Sequence, residues 1–390
     1  MPDIADITPL QPDDGSHDRI DVHHHFCAPE WLEWAEGQGL ANRKALPPWA
    51  RWDAAAALDL MDRAGIATAV LKPMLPARYA TSAQLREATA VTLRAAAEVT
   101  RAHPGRFAFH APLFLDDPEV ARWALRLGLD ELGAVGVNVT ANYGGVYLGD
   151  PSYDPLFAEL DERSAVVDTH PHNLPGVGGG GGGGGMAPAG GPGPDAGPGA
   201  GHGSGGGPGA GLRTGADAGP GAGRGPGAGG GPGGVAVPGI PHFLCDFLLD
   251  TTRAALNMIH KGTLDRFPNL SVILPHAGGF LPHIATRVQA FAGSLTPPVD
   301  PAMVRDYLLR FYYDTAGPMS PAGTLLAMAS PDRILFGSDW PACPSDMVTG
   351  IALPGLADDP ALTPAHRRGI NRDNAVRLMP SLAPLSPARV

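Results

Sequence analysis

Arg19-Ile20-Asp21-Val22-His23-His24-His25-Phe26 is a short apolar run that ends in three consecutive histidines. Alternate residues of a strand point the same way, so a strand here puts His23 and His25 on one face and His24 on the other. Three adjacent histidines by themselves describe no more than a solvated, metal-sticky tract. Recurrence gives them weight. Thr169-His170-Pro171, Pro275-His276-Ala277-Gly278-Gly279 and Phe336-Gly337-Ser338-Asp339-Trp340-Pro341 each close another apolar run with a side chain suited to metal binding or proton transfer.

Working outward, β-branched and apolar runs predict strands at Arg19–Phe26, Thr68–Pro73, Phe107–Pro112, Val135–Thr140, Ala165–His170, Ser271–His276, Phe311–Thr315 and Arg333–Asp339. Helical spacing predicts Asp53–Ala64, Ser82–His103, Pro118–Leu132, Tyr153–Arg163, Phe243–Lys261, Phe280–Phe291, Pro321–Ala329 and Pro364–Met379, with Ser82, Asp117 and Ser152 as N-caps. Strand and helix alternating through eight units predict an α/β fold, a (β/α)8 barrel. Such barrels carry their chemistry at the C-terminal ends of the strands, where His23, His25, His170, His276 and Asp339 fall.

The 390 residues contain 54 glycines, more than half of them between Gly176 and Gly234, which leaves about 330 residues to fold as one large domain. The expected organisation is an extension over 1–18, barrel over 19–175, a Gly/Pro/Ala-rich insertion over 176–235, barrel again over 236–380 and a tail over 381–390. The insertion has no strict Gly-x-y period and little apolar surface to bury, so disorder is expected of it, and a surface loop tolerates such length cheaply. It interrupts the connection after strand five and so emerges on the face that carries the candidate site. Net charge is -11 with no basic stripe, which argues against nucleic acid as a partner. No apolar stretch approaches the roughly 20 residues that span a bilayer. The N-terminus lacks a signal-peptide pattern, and the three cysteines, Cys27, Cys245 and Cys343, are unpaired in spacing, so a cytoplasmic location is expected.

A catalytic zinc or manganese site uses three or four His and carboxylate ligands and leaves a position open. His23, His25, His170 and Asp339 supply that set from strands one, five and eight. His276, from strand six, suits a non-ligand acid–base role at the open position. His24 should point away, and His103, His110, His260 and His366 read as structural; His172 and His283 stand between. The three lysines, Lys44, Lys72 and Lys261, miss the end of strand four, where a carbamylated lysine would bridge two metals, so one ion per chain is expected.

Ile20-Asp21-Val22-His23-His24-His25-Phe26 with Pro29, Pro47-Pro48-Trp49, Thr169-His170-Pro171, His276-Ala277-Gly278-Gly279, Tyr313-Asp314-Thr315-Ala316 and Leu335-Phe336-Gly337-Ser338-Asp339 resemble the amidohydrolase-superfamily branch containing aminocarboxymuconate-semialdehyde decarboxylase and 6-methylsalicylate decarboxylase, the latter type most in appearance. The resemblance covers about residues 19 to 380, apart from the glycine tract. It implies His23, His25, His170 and Asp339 as ligands of one Zn2+ or Mn2+, and His276 as the acid–base residue. It also implies a homodimer, in which Arg287 reaches the neighbouring subunit's site to bind substrate carboxylate.

The activity this implies is non-oxidative decarboxylation of a small aromatic or dienoic carboxylic acid, with His276 or Asp339 delivering the proton. Trp49, Phe26 and Trp340 are the candidates for packing a flat ring. The same site could instead hydrolyse a lactone, ester or amide, since fold does not fix chemistry. A third reading is an inert barrel whose site the glycine tract blocks.

Overall fold

The computed structural model describes residues 13–47, 50–75, 79–172, 241–317 and 322–383. The predicted insertion and Trp49 lie outside the described residues.

Eight parallel strands form one sheet in sequence order. They are β1 (Arg19–Phe26), β2 (Ile66–Pro73), β3 (Phe107–Pro112), β4 (Gly136–Thr140), β5 (Val166–His170), β6 (Ser271–Leu274), β7 (Tyr312–Asp314) and β8 (Ile334–Leu335). β8 is far shorter than its apolar run predicts, but the chain beyond it completes the ring. Val22 N donates to Phe336 O at 2.9 Å, Asp339 N to His23 O at 2.9 Å and His25 N to Trp340 O at 2.7 Å. The expected (β/α)8 barrel is therefore the fold.

Most helices fall where the spacing predicts, including Ala54–Arg63, Ser82–Ala102, Asp154–Glu162, Asp246–His260 and Leu281–Phe291. Asp117 caps its helix by accepting from Val120 N. The other two predicted caps are displaced. Thr81, not Ser82, accepts from Gln84 N, and Ser152 N donates to Asp150, which caps the turn Pro151–Tyr153. The longest helices that went unpredicted are Pro29–Gly37 and Pro301–Arg310. The second carries a plain start signal, Asp300 accepting from Ala302 N with proline at the first helical position. Expecting one helix per strand hid it.

The barrel interior is layered. Ile20, Val22, Val70, Ala108, Val166, Ile273, Tyr312 and Leu335 form an apolar cluster, joined from the chain's end by Ala375, Met379 and Leu382. Above it, toward the strands' C-terminal ends, the inward residues turn polar: Lys72, His110, Asp168 and Asp314, all 0% exposed. β1 reaches this layer through a bulge. Its register against β2 shifts between Asp21 and His24, so the inward set changes from Ile20 and Val22 to His23 and His25. A bulge re-aims side chains in this way. Buried Asp21 holds it, accepting from His23 N at 3.1 Å, Ser338 N at 2.9 Å and Ser338 Oγ at 2.5 Å.

Candidate metal centre and its pocket

Five predicted residues meet at the C-terminal mouth. His23 Nε2 is 3.3 Å from His25 Nε2 and 3.4 Å from Asp339 Oδ1, while His25 Nε2 is 2.9 Å from the same oxygen. The ring centroids of His23 and His170 are 5.6 Å apart, and those of His25 and His170 5.0 Å. Ligand atoms of His23, His25 and His170 lie within 4.8 Å of one another, as do those of His23, His276 and Asp339.

The donor set fits a divalent cation on a structural test. A neutral imidazole has one N–H and one lone pair, so whichever nitrogen donates leaves the other to ligate. His23 Nδ1 lies 2.7 Å from Asp314 Oδ2, and His170 Nδ1 lies 2.7 Å from Pro171 O. Both oxygens accept only, so both rings present a bare Nε2 to the cluster, the outer-shell arrangement usual around metal-bound histidines.

The electrostatics divide the candidate ligands from the candidate proton handler. Burial pushes His23 and His170 well below the usual histidine range, reinforced by Lys72 beside the first and His25 beside the second. Burial also acts to lower His276, but the Asp339 carboxylate 3.7 Å away outweighs it and raises the group. Asp339 itself is held well below the carboxylate range; burial opposes this, and contacts with His25 and His276 prevail. His276 Nδ1 is buried without a hydrogen-bond partner among the described residues.

Both acid–base candidates sit in the left-handed region, His276 at φ 53° and Asp339 at φ 61°. Such strain persists where surrounding bonds over-determine it. Here His276 N donates to Asp314 Oδ1 at 2.8 Å. Close approach beside Asp339 requires Gly337, where a Cβ would lie 2.9 Å from His23 Cβ.

A cavity of about 340 Å³ opens beside His170, over the ends of β2 to β5. Leu113, Phe114, Tyr79 and Tyr143 give it aromatic and apolar walls, and Asn138, Asp116 and His172 supply polar groups. Asn138 is 7% exposed; its Nδ2 donates to Pro73 O at 3.1 Å, while its Oδ1 has no partner among the described residues.

Phe26 and Trp340 do not line this cavity. Phe26 is core, edge-on to Trp52 at 4.8 Å, and Trp340 lies against His24 with its indole N–H donating to Ser345. Arg287 is exposed, its guanidinium over Phe291 and away from this chain's own cavity. His24 pairs with Asp21 at 3.0 Å, as expected of an outward residue, and His110, His260 and His366 make structural contacts. Sequence reasoning missed Lys72, Asp168 and Asp314. Each is a polar residue at an inward position of a predicted strand, which was the available signal.

The family described as Amidohydrolase matches residues 20–380. The chain belongs to that family. It is 27% identical to Decarboxylase yanB of Aspergillus niger over 93% of this chain and 88% of that one. It is 27% identical to 6-methylsalicylic acid decarboxylase acuB of Aspergillus aculeatus over 93% of this chain and 96% of the relative. Among solved structures, a dihydroxybenzoic acid decarboxylase from Polaromonas sp. JS666 with bound manganese and 2-nitroresorcinol superposes with a TM-score of 0.65. That protein is 21% identical over 95% of this chain and all of the other. Among the described residues, no helix is long and apolar enough to cross a membrane.

Proposed function

We propose that this protein is a metal-dependent, non-oxidative decarboxylase of a small hydroxylated aromatic acid of the 6-methylsalicylate type. The observation that carries the reading is the convergence of His23, His25, His170 and Asp339, with His276 beside them, at the edge of an aromatic-walled cavity. Both named relatives are decarboxylases, one of them of 6-methylsalicylic acid, which favours this reaction over hydrolysis at the same site.

His23, His25, His170 and Asp339 would hold one Zn2+ or Mn2+ per chain. When bound, the ion supplies Lewis acidity and a template for a carboxylate and a neighbouring oxygen. The chain's own residues supply the rest. Loss of carbon dioxide from an aryl carbon requires that carbon to be protonated first, with electrons fed in from the ortho hydroxyl. His276, its affinity for a proton raised by Asp339, stands where it can deliver that proton. Cleavage then returns the C–C bonding pair to the ring, the hydroxyl oxygen takes back the pair it lent, and carbon dioxide leaves.

The cavity also bears on the substrate. Its described lining contains no lysine or arginine, and Asp116 stands on its wall. A second carboxylate would go unpaired there, whereas an alkyl group meets Leu113 and Phe114. Asn138 Oδ1 suits a ring hydroxyl that donates. Arg287 does not line this chain's cavity and is read as serving the site of a second copy, so its substrate-binding role and a homodimer stand or fall together. A cytoplasmic location accords with three free thiols, two of them buried.

The test is metal analysis of the purified protein together with carbon dioxide release from 6-methylsalicylate and other hydroxybenzoates. Turnover that is lost with a chelator and restored by Mn2+ or Zn2+ is the expected result. Bound metal with no release from any of these acids would refute it.

A further inference from the structure

Lys72 is fully buried at the inward face of β2, where a lysine is seldom found without a specific reason. Its Nζ lies 2.9 Å from Asp168 Oδ2, donates to Thr169 O at 3.2 Å and stands 3.3 Å from His23 Nδ1. Asp168 and Thr169 are the two residues before His170 on β5, so one ammonium group touches the β1 ligand and the backbone that presents the β5 ligand. Stability does not account for it. A buried ion pair can usually be exchanged for apolar residues without loss, because desolvation cancels the Coulombic gain. What an apolar pair cannot do is tie two strands at a fixed separation beneath the ligand cluster. His110 Nδ1 also faces Asp168 Oδ2, at 3.2 Å, and keeps that carboxylate turned toward Lys72.

We infer that Lys72 is a positioning residue for the ion site, setting the spacing of His23 and His170. The inference rests on the metal-site reading above. It requires that losing Lys72 harm metal binding even when the buried charge it balances is removed as well.

The experiment compares the whole protein with the double variant Lys72→Met/Asp168→Asn, which removes both members of the buried pair. Apparent Mn2+ affinity is measured by titrating chelator-stripped protein, the visible absorption of the Co2+ form reports ligand geometry, and thermal unfolding reports the fold. The expected result is unfolding near that of the parent, a Co2+ spectrum that changes, and Mn2+ affinity lower by about 10- to 100-fold, as for other outer-shell losses. Parent-like affinity and spectrum in the double variant would overturn the inference, leaving Lys72 as a counter-ion to Asp168 alone. A parent that binds no ion would instead defeat the metal-site reading. If the double variant does not fold, Lys72→Leu/Asp168→Ser, which likewise has neither charge nor a donor at position 72, is read for Co2+ spectrum and affinity against the same two outcomes.

Discussion

Asp250 offers a quantitative test of how the cavity wall is held. It lies in the helix Asp246–His260 and is 0% exposed. Its carboxylate accepts from Asn142 Nδ2 at 2.9 and 3.1 Å and from His172 N at 2.7 Å. It thereby fastens the loop after β4 and the chain just beyond His170, both of which line the cavity. Burial pushes it up to about 6, although these hydrogen bonds pull the other way. An unfolded aspartate titrates near 3.9, so the native state holds the proton more tightly by about two units. Below pH 4 both states are protonated and the group has no effect. As pH rises from about 4 to 6 the unfolded chain gives up its proton first, and stability falls by a total of about 3 kcal/mol, then stays level. Asp250→Asn cannot titrate. Whatever constant cost the amide brings, the difference in unfolding free energy between variant and parent should move by about 2–3 kcal/mol in the variant's favour between pH 4 and 7. Denaturant melts at four pH values measure it. A difference that stays constant, or moves toward the parent, refutes the reasoning.

Other predictions concern the site directly. His276→Asn should lower turnover at least about 100-fold with metal per chain unchanged, whereas Asp339→Asn should lower both; mass-spectrometric metal counts decide, and metal loss in the His276 variant alone would reverse the roles. Asp314→Asn should weaken Mn2+ binding about 10- to 100-fold, because its one remaining oxygen is held by His276 N and Ala316 N and its NH2 donor then faces His23 Nδ1. Asn138→Leu should raise KM for a hydroxylated benzoate by about 5- to 100-fold, the cost of one lost hydrogen bond in a buried site, and an unchanged KM would remove Asn138 from substrate recognition. Gly337→Ala should displace His23 and reduce metal content, since the added methyl meets His23 Cβ at 2.9 Å.

What could be read from the sequence was whatever depends on local pattern. The strands Arg19–Phe26 and Phe107–Pro112 appear with the bounds their apolar runs predict. The five-residue cluster follows from strand-end position alone. Geometry carried by the tertiary fold was not legible. The bulge that turns His23 and His25 inward depends on pairing with β2, and the residues after β8 bond β1 across the closure without a regular ladder. Lys72 stands at strand two, not at strand four where a metal-bridging lysine would be sought. A lysine inside an apolar run, Val70-Leu71-Lys72-Pro73, marks an inward polar layer as clearly as the histidines do.

Asp314 shows why the ligands and the acid–base residue should be understood as one device. Its Oδ2 accepts from His23 Nδ1, and its Oδ1 accepts from the backbone of His276 at 2.8 Å and of Ala316 at 3.0 Å. One buried carboxylate therefore bonds the β1 histidine proposed as a ligand and holds the left-handed backbone of His276, just beyond β6. Burial raises Asp314, with Lys72 and His276 opposing, so its ionised form depends on the same cations that surround the site. Removing either partner disturbs the other: without Lys72 the carboxylate loses a nearby positive charge, and without Asp314 the His23 ring is free to turn its N–H toward the ion position. It follows that losses from Lys72→Met and Asp314→Asn should not add. The double variant should bind Mn2+ only slightly less well than the worse single one, and a fully additive cycle would show that the two act on His23 independently.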